Sequence, residues 1–150
     1  MANSRRETIL AKVKTALETI TSIGTVERTR VIPIGDDVAF PAIFIFEEKE
    51  EVEVNSPSTM GKVHKRLFVT LQVWQIDDGS GLSVQLNELL KNVETKAMSN
   101  PQWDNLAMQT IPLESRNFID FNSARGQGYL GFEFDIRIDY RHTFYDPETA

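Results

Sequence analysis

The segment Leu130-Gly131-Phe132-Glu133-Phe134-Asp135-Ile136-Arg137-Ile138-Asp139-Tyr140-Arg141 decides the fold. Apolar and polar residues alternate without a break, and a period of two is the signature of a β-strand with two chemically different faces. One face carries Leu130, Phe132, Phe134, Ile136, Ile138 and Tyr140. The other carries Gly131, then Glu133, Asp135, Arg137, Asp139 and Arg141. The first face must be covered by other parts of the chain. The second must meet water, a charged partner strand, an intersubunit surface or a channel, and cross-strand ion pairs are the simplest way to satisfy it.

Working outward, Arg125-Gly126-Gln127-Gly128 is the turn that leads into this strand. The stretch before it, 106–121, reads as one or two strands interrupted at Pro112. Residues 82–98 return to helical spacing through Leu82, Leu86, Leu89, Leu90, Val93 and Ala97, and Asn100-Pro101 closes that helix. Asp77-Asp78-Gly79-Ser80-Gly81 is a turn with the helix N-cap in it; it lacks the alternating ligands and terminal glutamate of a calcium loop.

Residues 62–75 alternate again, with Leu67, Val69, Leu71 and Val73 on one side and Phe68, Thr70, Gln72 and Trp74 on the other. Upstream, Pro41-Ala-Ile-Phe-Ile-Phe46 is a strand expected to be covered on both faces, running on into the acidic stretch 47–54. Together the two strands predict a long hairpin with its tip at 55–61, part of which projects from the body. Its acidic arm faces its basic arm, so Glu47, Glu50, Glu53, Pro57, Met60, Lys62, Lys65 and Arg66 form a candidate contact surface, either self-paired or reaching a neighbour. A short strand is expected over 25–34.

The chain opens with Ser4-Arg5-Arg6-Glu7, the spacing of a capping box, and an apolar stripe from Ile9 to Ile20 predicts a first helix over 5–21. Arg5 and Arg6 sit at the positive end of its dipole, a small cost that points to contacts elsewhere. The resulting order is α-β-β-β-α-β-β: an α+β domain spanning 1–150, with a mostly antiparallel or mixed sheet and both helices on one face.

Composition agrees. A chain of 150 residues with 41% hydrophobic and 25% charged residues builds a core without staples. The absence of cysteine excludes disulfides, cysteine zinc sites and a cysteine nucleophile. The net charge of −6 argues against a dedicated nucleic-acid binder. No signal peptide or membrane span is read in the sequence.

Little in the sequence points to chemistry. No phosphate-binding glycine loop is present, and His64 and His142 stand on strands without a carboxylate partner nearby in sequence. Asp37 with Glu47-x-Lys49 loosely imitates the metal site of some nucleases, although a solvated charge run explains the same residues. No catalytic residue, metal or cofactor is expected.

The opening helix, the strand Pro41–Phe46, the strand Arg66-Leu-Phe-Val-Thr-Leu-Gln-Val-Trp74 leading into helix 82–98, and the closing strand 131–141 together resemble the tail terminator (tail completion) proteins of long-tailed bacteriophages. The resemblance implies a structural protein, a homohexameric ring capping the head-proximal end of the tail tube. Such a ring ends tube polymerisation and offers the surface on which the head connector docks. Its implied partners are copies of itself, the tube protein and the neck protein; DNA passes through without specific binding, and no membrane is involved. Six copies would multiply the charge of −6, and an acidic lumen suits DNA passage. The implied location is the host cytoplasm during assembly and the virion tail afterwards. A neck or head-completion adaptor, a small metal-dependent nuclease and a secretion-system adaptor are the alternatives.

Overall fold

A computed structural model of the chain describes residues 4–30, 37–53, 62–76, 82–120 and 129–143. Two helices and five strands follow in the order α1 (Arg5–Glu18), β1 (Thr25–Arg28), β2 (Ala42–Val52), β3 (Lys62–Ile76), α2 (Leu82–Met98), β4 (Gln109–Asp120) and β5 (Tyr129–Thr143). The expected α+β architecture is the observed one. The strands form a single mixed sheet in the spatial order β1-β2-β3-β5-β4, in which only β1 and β2 run parallel.

The centre of the sheet is the pair β3 and β5, registered antiparallel from Lys62↔Thr143 to Ile76↔Tyr129. Their apolar faces stack on one side, where Leu67, Val69, Leu71 and Val73 meet Phe132, Phe134, Ile136 and Ile138. Both helices cover that side. α1 contributes Ile9, Leu10, Val13 and Leu17, and α2 contributes Leu86, Leu89, Val93 and Ala97, each set spaced at three and four residues as one helix face requires. Packing β-branched and aromatic strand residues under two such stripes makes one continuous core.

The α1 start follows the expected cap in part. The Ser4 hydroxyl accepts the Glu7 N–H at 3.2 Å. The Glu7 carboxylate does not reach back to close a capping box; it binds Arg28 of β1 instead. α1 ends at Glu18, before the expected 21.

β1 stops at Arg28, short of the expected 34, and Thr29 takes a positive φ of 47°; positions 31–34 of the expected strand lie outside the described residues. β4 is one strand through Pro112, which the ladder accommodates by a register shift between Pro112 and Glu114. That is possible because β4 is an edge strand, where a missing N–H costs no inner ladder bond.

The described part of the β2–β3 hairpin lies within the sheet, since β5 accompanies β3 along its full length. Its tip, with Pro57 and Met60, lies outside the described residues, as does the 77–81 turn. No helix among the described residues is long and apolar enough to cross a membrane.

Candidate assembly surfaces

Both helices occupy one side of the sheet; among the described residues no helix covers the other, bare side, and its character changes along the strands. At the end where β3 finishes, it is aromatic. Ala42 and Phe44 of β2 pack with Val38, Phe40, Phe46 and Trp74. The Trp74 ring meets Phe118 edge-on at 4.7 Å and Tyr129 at 5.4 Å, while Phe40 stacks on Tyr129 at 5.3 Å. This cluster closes over Gly131, where a Cβ would collide with the Val73 carbonyl and the Phe118 ring. The start of β2 is thereby covered on both faces, as its unbroken apolar run predicts.

Further along the same face the surface becomes ionic, and Glu133, Asp135, Arg137 and Asp139 of β5 lie on it, whereas Arg141 lines a groove at the end of the sheet. Arg116 of β4 donates to Glu133 at 2.7 Å and to Asp135 at 2.8 Å, and reaches Glu114 at 3.1 Å. Gln72 links this group to the aromatic half. Its Nε2 donates to Glu133 at 3.1 Å while its Oε1 accepts the Trp74 indole N–H at 2.7 Å. The buried Thr70 hydroxyl lies 2.7 Å from Asp135 and 3.0 Å from Glu48, with one proton to give. Asp139, only 7% exposed, accepts both the Arg137 fork and the Gln109 amide at 2.7–3.0 Å. Hydrogen bonds to Glu133 and then Asp135 hold the Arg116 guanidinium above its ordinary pKa. The face is thus a cross-paired lattice of both signs.

The hairpin residues divide between the two sides because of a bulge. The register shift between Glu47 and Lys49 puts Glu47 opposite Val69 on the helix side and Lys49 opposite Phe68 on the bare side. Glu47 then pairs with Arg6 and Arg28, and Lys49 lies 4.6 Å over the Phe68 ring. Asp37 is elsewhere, bound to Arg30 at 3.1 Å. The three residues of the nuclease-like spacing therefore do not share a site. Among the described residues no group of three or more His, Asp or Glu side chains is placed to hold a metal ion.

Glu50 is the hub of the helix-side cluster. It accepts from the buried Tyr140 hydroxyl at 2.5 Å and pairs with Lys65 at 3.3 Å and Arg6 at 3.5 Å. Nearer the tip, Glu53 pairs with Arg66 at 3.4 Å and approaches His64 at 4.0 Å. The acidic and basic arms are self-paired at Glu50–Lys65 and Glu53–Arg66.

Two contributors were not read from the sequence. Arg116 and Gln109 sit on an edge strand whose alternation is broken by Pro112, although Glu114, Arg116 and Phe118 keep the period that would have placed them opposite β5. No family model matches the chain, and no curated protein matches it.

Proposed function

We propose that this chain is a structural subunit that assembles with copies of itself into a ring, a homohexamer, capping the head-proximal end of a long-tailed phage tail tube. The ring ends tube growth and presents the surface to which the head docks. The observation that carries this reading is the division of the sheet. Helices seal one side of the long β3–β5 ladder, and the opposite side is left as a broad, ordered surface of aromatic and cross-paired charged groups.

Such a surface suits contact with protein better than reaction chemistry. Groups that already satisfy one another carry a smaller desolvation cost on burial than isolated carboxylates do. The element order also agrees with the layout that the resemblance implies.

The test is native mass by light scattering over a range of concentrations, followed by electron microscopy. A species at six times the 17.1 kDa chain mass, seen as rings, is expected. Added to polymerising tube protein, it should hold tubes at the length they had reached. A chain that neither forms rings nor alters tube growth overturns the proposal.

A further inference from the structure

The arginines of the described residues fall into two groups. Arg6, Arg28, Arg30, Arg66, Arg116 and Arg137 each hold a carboxylate of the same chain. Arg5 and Arg141 hold none among the described residues, yet both line one groove, with Gln102, Asn105 and Met108 beside them. Arg5 is fixed there: its Nε donates to the Leu106 carbonyl and its Nη2 to the Asn105 carbonyl, both at 2.9 Å. Burial, and then the charge of Arg141, hold the Arg5 guanidinium below its ordinary pKa. In a chain of net charge −6, two cations facing one groove that has no acidic side chain among its described lining residues offer a site for a carboxylate. Met108, 41% exposed at its edge, adds an apolar contact.

The complementary surface is on the same molecule. On α2, Glu88 is exposed and has no cation within ion-pairing distance among the described residues. It lines a second groove together with Val84, Pro41, Leu89 and Gln75. Val84, at 76%, is the most exposed large apolar residue among those described. The two grooves lie at opposite ends of the sheet. Arg141 is registered with His64 near the start of β3, and Gln75 stands near its end, roughly 36 Å away at 3.3 Å per residue.

We infer that the Arg5–Arg141 groove of one copy receives Glu88 of the next, with Met108 of the first seated against Val84 of the second. The inference rests on the self-assembly proposed above and specifies its contact. An interface between two different patches is heterologous: it propagates head to tail and closes into a ring when the rotation allows, where a self-complementary patch would stop at a dimer. Two cations are too few for a nucleic-acid footprint, and the apolar rim is that of a protein contact.

The test uses two single variants of the full chain, Arg141→Glu and Glu88→Arg. Arg141 has no bond to lose among the described residues, and Glu88 is an exposed helix position, so both variants should fold. Each alone sets like charges against each other and should raise the concentration needed for assembly by about a hundredfold or more. Mixed in equal amounts they should recover the wild-type mass. An alternating ring sets the groove of the Arg141→Glu chain against the helix of the Glu88→Arg chain at one junction, and restores the native Arg141–Glu88 pair at the next. Recovery on mixing also excludes misfolding of either variant. Wild-type rings with both variants assembling equally well would overturn this contact and leave the ring reading standing. So would variants that fail alone and stay apart when mixed. A wild-type chain that stays monomeric at every concentration overturns this contact, and overturns the ring reading as well if it also leaves tube growth unaltered.

Discussion

The two faces of the β3–β5 ladder are made by alternate residues of the same two strands, yet they are held together by different physics. On the helix side, Leu71 and Ile136 are fully buried in a continuous apolar core. On the bare side, their neighbours Gln72 and Arg137 are held by hydrogen bonds and ion pairs within one layer of side chains. Apolar burial is roughly proportional to area and insensitive to salt, whereas partly exposed ion pairs are weak and screened. The covered face therefore carries the stability of the fold, and the bare face carries its surface chemistry.

The sharpest way to break this contrast is to truncate adjacent residues of β3. Leu71→Ala should cost about 2–5 kcal/mol, the loss of a buried side chain plus the cavity it leaves. Gln72→Ala should cost about 1 kcal/mol, the net worth of a part-exposed hydrogen-bonding group. Urea unfolding of both variants measures the difference directly, and equal losses would mean that the bare face is as structural as the covered one.

The bare face has one site where its weakness should fail. Asp139 is buried beneath Arg137, so Arg137→Ala leaves a carboxylate with, among the described residues, only the Gln109 amide to satisfy it. A loss of about 2 kcal/mol is expected, the cost of leaving a buried acceptor short of its partner. Adding Asp139→Asn should recover part of it. If the single variant is silent, water reaches Asp139 and the lattice is looser than its geometry suggests.

The covered face in turn carries buried polar groups, among them the Tyr140 hydroxyl bound to Glu50. Burial, and then the bond to Glu50, push this phenol above its ordinary pKa. The unfolded chain releases the proton near pH 10 and the folded chain does not, so the contribution is complete below that pH and lost as pH rises above it. Tyr140→Phe should cost about 1 kcal/mol at neutral pH. Its deficit against wild type should shrink between pH 10 and 11 in urea titrations. A constant deficit would mean that the phenol ionises as freely in the fold as out of it.

These contrasts also show what the residues disclose in advance. The period of two in 130–141 and the three-and-four spacing of Leu82–Met98 place β5 and α2 because each repeats a single rule along its length. Three features follow no local rule. The bulge at 47–49 shifts faces through pairing with β3, so Glu47 and Lys49 separate although their spacing says otherwise. Arg5 is anchored by carbonyls a hundred positions away. Trp103 is buried in the connection after α2, where Trp103, Asp104 and Asn105 all take positive φ and the indole N–H finds Thr110 at 2.8 Å. Charge pairing was legible as a tendency, since Arg5 and Arg6 at a helix start signal contacts elsewhere. The partners are tertiary facts.

The smallest expected effect separates the lattice from the core most cleanly. Arg116 ties β4 to β5 through Glu133 and Asp135, but its side chain is 43% exposed, so solvent and salt screen what its three short contacts provide. Arg116→Gln should lower stability less than any change above, and the loss should fade as salt rises toward 1 M, while that of Leu71→Ala stays constant. Melting curves of both variants at low and high salt are sufficient. A salt-independent loss at Arg116 would place it among the groups that hold the fold, since screening acts on charges reached by water and leaves packed side chains unaffected. A loss that vanishes leaves Arg116 as a surface ligand for its two carboxylates, available to exchange them for an acidic group of a docking partner.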